Sequence, residues 1–282
     1  MNKDMIIDTI KAELGDVEVK FTTVAKNNVM KKGISISVPG SNIAANFYYD
    51  ENKTDSEIAK DVVDGYKANI KPDFDVNDIT SNMTKWYWVA NRVMPVLFNI
   101  TKSVYPDEIV KVNYVNDIGI IFKIIVASDD SGVASIKVTS DLLDSWNISV
   151  DELLTKAKEN LNSKLYINDM GAMLFEMTGN DEFKRSITPG VMSVMTVTNK
   201  VNGASAIMCL PDIIESGEIA NHDWYIIPSS THEVILVDPS TIEVEMLNDM
   251  IRSVNSDVVS IEDYLSNDAL KYDAEYKQII VA

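Results

Sequence analysis

The β-rich runs of this chain come in close pairs, and that spacing limits the possible folds more than any other feature. Val17–Phe21 and Ile34–Val38 alternate apolar and polar with period two, and Lys26-Asn27-Asn28 supplies a turn between them. Ile34, Ile36 and Val38 should face inward, with Ser35 and Ser37 outward, and Pro39-Gly40 ends that run. Ile118–Ala127 and Ala134–Val138 flank the hairpin signal Asp129-Asp130-Ser131-Gly132. Trp224–Ile227 and Val234–Val237 flank a six-residue polar loop. Such hairpins outnumber strand–helix–strand crossovers, so the expected class is α+β, with antiparallel sheets and packed helices.

Further strands are expected at Ile43–Tyr49, Trp86–Ile100 (an edge strand, because Pro95 cannot donate to a ladder), Met192–Val197, across Cys209, and at Gln278–Val281. Helices announce themselves by caps. Thr54-x-x-Glu57, Ser149-x-x-Glu152 and Ser240-x-x-Glu243 each read as a capping box. Behind them run the stripes Ile58/Val62/Tyr66, Val150/Leu153/Leu154/Ala157/Leu161 and Ile242/Met246/Met250/Val254, each expected to face the core. An opening helix over 3–14 ends at Gly15, Thr139-Ser140 opens a short one through Trp146, and Pro211 opens another through about Glu218. Residues 71–84 read as a loop. At 282 residues the length suggests two structural units: 1–164, then a linker over 165–190 rich in Met, Gly and Asn, then 191–282.

The formal net charge of -18 sets the surface chemistry. A phosphate backbone or an anionic membrane would be repelled, so direct nucleic-acid and membrane binding are not expected, and a basic protein partner is the natural counterpart. Only three residues are arginine: Arg92, Arg185 and Arg252. That leaves little for forked recognition of carboxylates or phosphates. The N-terminal residues lack the pattern of a signal peptide, and no apolar stretch approaches about 18 residues. The single cysteine, Cys209, sits in an apolar run and reads as a buried thiol of a reducing, cytoplasmic compartment.

No linear motif for phosphate, metal or acyl-transfer chemistry is present, so no cofactor, metal or catalytic residue is assigned. The candidate binding loop is Ser229, Ser230, Thr231, His232 and Glu233, held between two apolar runs. Ser230, His232 and Asp238 invite a triad reading; a tight turn whose hydroxyls satisfy its own backbone is the simpler one. His222 and His232 would lie at opposite ends of the hairpin, roughly 17 Å apart at about 3.3 Å per residue, which argues against a shared metal. Trp86-Tyr87-Trp88 with Tyr105 could form an aromatic platform, with packing the simpler account, and Asp129-Asp130 reads as a solvated turn.

Three groups of residues carry a resemblance. They are Trp146-x-Ile148-Ser149-x-x-Glu152-Leu153 with Ala157 and Glu159-Asn160; Thr198-Asn199-Lys200 with Gly203-Ala204; and Trp224-Tyr225-Ile226-Ile227-Pro228-Ser229-Ser230-Thr231-His232-Glu233-Val234. With Leu265-Ser266-Asn267 they cover roughly residues 85–275. The chain resembles a domain-of-unknown-function family abundant in gut clostridia and often carried on mobile genetic elements. The resemblance implies a clostridial cytosolic protein and supplies no catalytic residues. The leading expectation is a non-enzymatic interaction or regulatory protein, with a hydrolase-type enzyme using the Ser229–Glu233 loop and an acidic nucleic-acid mimic as alternatives.

Overall fold

The computed structural model describes residues 1–40, 44–69, 76–129, 132–183 and 187–282. Every strand pair among them is antiparallel, and the class is α+β.

The N-terminal layer folds from α1 (Lys3–Leu14), β1 (Glu18–Ala25), β2 (Met30–Ser37), β3 (Ala45–Tyr48) and α2 (Asp55–Asn69). Asn2 accepts from the Met5 amide to start α1, and Gly15 stops it at a φ of 80°, a conformation that costs a side-chain-bearing residue more than glycine. Glu18 to Ala25 pair with Ser37 to Met30, closed by a Lys26 N–H to Val29 carbonyl bond of 2.9 Å. Ile34 and Ile36 are buried as the alternation requires, whereas Val38 lies past the strand end and is exposed. The Thr54–Glu57 capping box forms, and Ile58 and Val62 bury against Ile6, Ile10, Ile34 and Ile36.

The central sheet has the order β4 (Val93–Asn99), β6 (Ile118–Asp129), β5 (Lys111–Val115); β7 (Gly132–Lys137) also pairs with β6, end to end with β5. Asp129 lies opposite Gly132, while the two residues between them, Asp130 included, fall outside the described ones. Pro95 stands on an edge strand that is buried along its whole length, because α6 (Val150–Asn162) and a 3₁₀ turn pack over it. Trp86–Val89, read as the start of that strand, instead forms a one-turn helix, α4, closed by an Ala90 N–H to Trp86 carbonyl bond of 2.7 Å. Residues 76–82, read as loop, form α3 (Val76–Asn82). α5 (Ser140–Trp146) starts at its Thr139 cap, and the Ser149–Glu152 box opens α6, whose Leu153, Ala157 and Leu161 are fully buried.

The third sheet runs β13 (Gln278–Val281), β12 (Leu270–Asp273), β10 (Trp224–Ile227), β11 (Val234–Val237), β9 (Met192–Val197), β8 (Leu165–Asp169). The proposed linker thus contains an edge strand: Leu165–Asp169 pairs residue by residue with Val197–Ser193. Asp169 then caps α7 (Met170–Thr178) through the Gly171 and Ala172 amides and accepts from Gly190, which ties the start of α7 and the turn before β9 to the edge of the sheet. The run across Cys209, read as a strand, is a 3₁₀ turn (Gly203–Cys209) leading into α8 (Leu210–Ser216). All seven of its residues are buried, so no exposed face marks its period. The Ser240 capping box does not form. Asp238 caps a 3₁₀ turn at Pro239–Thr241, and α9 (Val244–Asp257) begins after Glu243 without a side-chain cap.

The apolar clusters divide elsewhere than at 165–190. One cluster belongs to the N-terminal layer, from Ile6 to Tyr66. The largest joins the central and third sheets, from Val89 and Phe122 through Leu161 to Trp224 and Tyr272, and so crosses the proposed boundary.

Candidate functional site

The Pro228–Glu233 loop lies at the turn end of the β10–β11 hairpin, and its backbone is consumed by its surroundings. The segment 263–266 runs alongside it. Thr231 N–H donates to the Asp263 carbonyl at 2.8 Å, Leu265 N–H to the Ser229 carbonyl at 3.1 Å, and Ser266 N–H to the Pro228 carbonyl at 3.0 Å. On the other side Ala204 N–H donates to the Thr231 carbonyl, and the Thr196 hydroxyl donates to the His232 carbonyl at 2.7 Å. Buried backbone groups must be paired, and here they are.

The side chains follow suit. Ser230 and Thr231 are buried, and Ser230 Oγ accepts from the His232 amide at 3.0 Å, the local turn bond that serines make. His232 Nδ1 accepts from the Asn202 amide at 3.3 Å, which leaves Nε2–H to donate to Asp263 Oδ1 at 3.0 Å. Asp263 is held in turn by the Ser260 hydroxyl on its other oxygen at 2.7 Å. Ser230, His232 and Asp238 therefore do not assemble: Asp238 sits beyond the far end of β11, engaged with the Ser240 amide. A base whose two ring nitrogens are both engaged elsewhere has nothing to offer the Ser230 hydroxyl.

Gly203 makes this packing possible. A Cβ there would stand 2.0 Å from Thr196 Oγ1 and 2.6 Å from the His232 carbonyl oxygen. The same 263–266 segment binds the N-terminal layer. Asn27 and Asn28 donate to the Tyr264 carbonyl at 2.7 and 2.9 Å, and Asn99 donates to the Leu265 carbonyl and to Asp117 at 2.7 Å each. Ser266 closes the network on the other Asp117 oxygen at 2.8 Å.

The remaining sequence candidates are scattered. His222 stacks on Trp224 with ring centres 4.3 Å apart, at the open end of the hairpin. Trp86 packs beside Trp146, Trp88 under Arg92, and Tyr105 against Phe98, so they form no common platform, and Tyr87 points to solvent. Burial pushes the Cys209 thiol up to about 11, the opposite of an activated nucleophile. Among the described residues no three His, Cys, Asp or Glu side chains gather as metal ligands, and no helix is long and apolar enough to cross a membrane.

One feature of the surface runs against the sequence pattern. On α9 the buried residues are Leu247 and Ile251, which pack with Ala269 against Tyr225 and Ile227. Of the expected core stripe only Ile242 packs inward: Met246, Met250 and Val254 are 60%, 53% and 45% exposed, and Val258 and Ile261 beyond the helix are 78% and 61% exposed. Glu243, Glu245, Asp249 and Asp257 are exposed on the same helix and its lead-in. Singly exposed apolar residues are ordinary; five in sequence steps of three or four, bordered by acids, are not.

Fold and loop together define an α+β protein on antiparallel sheets, in which a polar hairpin loop is sewn to a C-terminal segment by a histidine–aspartate pair. The chain belongs to DUF5688, a family of unknown function, which matches residues 3–274 and so takes in the N-terminal layer as well. No curated protein and no solved structure matches it.

Proposed function

We propose that this is a non-enzymatic interaction protein of a clostridial mobile element, acting in the cytoplasm, which docks a basic amphipathic helix of a protein partner on α9. The clostridial, mobile-element and cytoplasmic setting rests on the resemblance and on cysteine usage alone. The docking itself rests on one observation, the exposed Met246–Met250–Val254 stripe continued by Val258 and Ile261. An apolar helix face takes up another amphipathic helix by burying its stripe, and methionines adapt to irregular partners. The bordering acids, on a chain of net charge -18, select a basic partner and speed its approach. The hydrolase reading has less support, because His232 spends both ring nitrogens on Asn202 and Asp263. The acids along α9 are interleaved with apolar residues rather than spaced as phosphates, which favours a protein partner over nucleic-acid mimicry.

Titration calorimetry of the full chain with a Lys/Leu amphipathic helical peptide tests this. Binding is expected to weaken as salt rises and to fall at least about tenfold in a Met246→Ser/Met250→Ser double variant, a loss of about 1.4 kcal/mol. A peptide of the same composition with its amphipathic order scrambled should bind poorly. Equal binding of both peptides, or no effect of the double variant, would overturn the proposal.

A further inference from the structure

The geometry points to a binding site for a small, multiply charged anion, of phosphate or carboxylate type, at Lys26, Lys123 and Lys137. The site is independent of the helix face described above.

Lys123 and Lys137 stand directly opposite each other in the β6–β7 ladder and share one face of the central sheet. Like charges in that position repel, and sheets avoid them. Lys26 follows Ala25, which packs with Val96, Phe98, Tyr105 and Ile121 on that same face, and so brings a third ammonium from the N-terminal layer. Lys26 and Lys137 are the charges that act on Lys123, and neither is joined by a carboxylate. Lys137 likewise feels Lys26.

Their local partners are weak. Lys26 lies over the Tyr48 ring at 4.8 Å and Lys137 over Tyr105 at 5.6 Å. Among the described residues Lys123 has one hydrogen bond, to Asn202 Oδ1 at 3.3 Å, for three donors. Lys123 is half-buried, and that burial with its two cationic neighbours lowers its ammonium to about 7. Among the described residues none of the three lysines takes part in an ion pair, although acids outnumber bases 43 to 25 in the chain. Elsewhere lysines find acids readily, as Lys271 does with Asp223 at 2.6 Å and Lys158 with Asp212 at 2.9 Å, and beside the site Lys31, which shares the Tyr48 ring with Lys26, pairs with Glu262 at 2.6 Å.

Three lysines held together without a counter-charge destabilise the empty protein, and an anion bridging them removes that repulsion. A shallow cleft lined by Val96, Ile125, Val133, Val201 and Asn202 adjoins the Asn202 side chain that Lys123 reaches. An apolar portion of the ligand could rest there beside its charged group.

Thermal unfolding of the full chain with inorganic pyrophosphate and, in a second arm, citrate tests the site. Sodium chloride at matched ionic strength serves as the control. A saturable rise in melting temperature is expected with at least one anion, and the responding arm tells phosphate from carboxylate. Lys123→Met should abolish the rise, Lys137→Gln should weaken it at least tenfold in concentration, and Lys158→Gln should leave it intact. Both variants at the site should fold, since each removes a repelled charge. No saturable rise beyond the chloride control in the natural protein, or an undiminished rise in both site variants, would overturn the inference.

Discussion

The loop around His232 and the helix Val244–Asp257 sit on the same sheet and behave in opposite ways. The loop is polar and carries two serines, a threonine, a histidine and a glutamate, yet Ser230, His232 and much of its backbone are bound to one another, to Asn202 and to the 263–266 segment. The helix is amphipathic and looks like ordinary core material, yet it turns Met246, Met250 and Val254 outward. Residue type thus misleads about availability. A histidine with both nitrogens engaged is closed to a ligand, whereas an apolar side chain left in water is open to one.

The contrast can be broken at four points. The largest effect should come from Gly203→Ala, where the added methyl has no room beside Thr196 and the His232 carbonyl. We expect a loss of about 3 kcal/mol, read by urea denaturation, as for an overpacked core. A loss below about 1 kcal/mol would mean that the loop is not tightly sewn. Next, Leu247→Ala on the buried side of the helix should cost about 2–3 kcal/mol, a core truncation in the smallest apolar cluster. Third, His232→Ala should cost on the order of 1 kcal/mol and leave peptide binding unchanged. An unaltered melting temperature with lost binding would transfer the site to the loop. The smallest effect on stability belongs to Met246→Ser/Met250→Ser, within about 0.5 kcal/mol, because those side chains are already in water. A larger loss would show the stripe to be covered in solution.

Local chemistry was legible in the sequence where one residue's side chain answers its near neighbour. The Thr54 and Ser149 capping boxes, the β1–β2 turn and the β10–β11 hairpin all stand as read. The Ser240 box failed because Asp238 and Pro239 offered a competing cap and turn, which shifted the helix start to Val244. That shift, with the sheet claiming Leu247 and Ile251, decided which of two apolar stripes went inward. The Gly203–Cys209 turn was unreadable because a segment buried on every side shows no period. The partners of the loop were out of reach for another reason. Asp263 lies 31 residues from His232, and Ser260-x-x-Asp263 reads only as a local turn until the fold places it. The lysine face needed the register of β6 and β7 before Lys123 and Lys137 could be seen as opposed.

The bond from Asn27 to the Tyr264 carbonyl spans 237 positions of chain. During synthesis at about 5–20 residues per second, Asn27 therefore waits roughly 10–50 s for its acceptor to be made. Over that interval the N-terminal sheet and its two helices are held by their own cluster of isoleucines and valines and by earlier contacts with the central sheet, Ala25 against Val96 and Phe98 and the Asn99 amide donating to Asn27. The asparagine pair is thus a latch that engages late, and the order in which the ribosome delivers the chain makes the C-terminal segment the last piece to fasten the first layer to the rest.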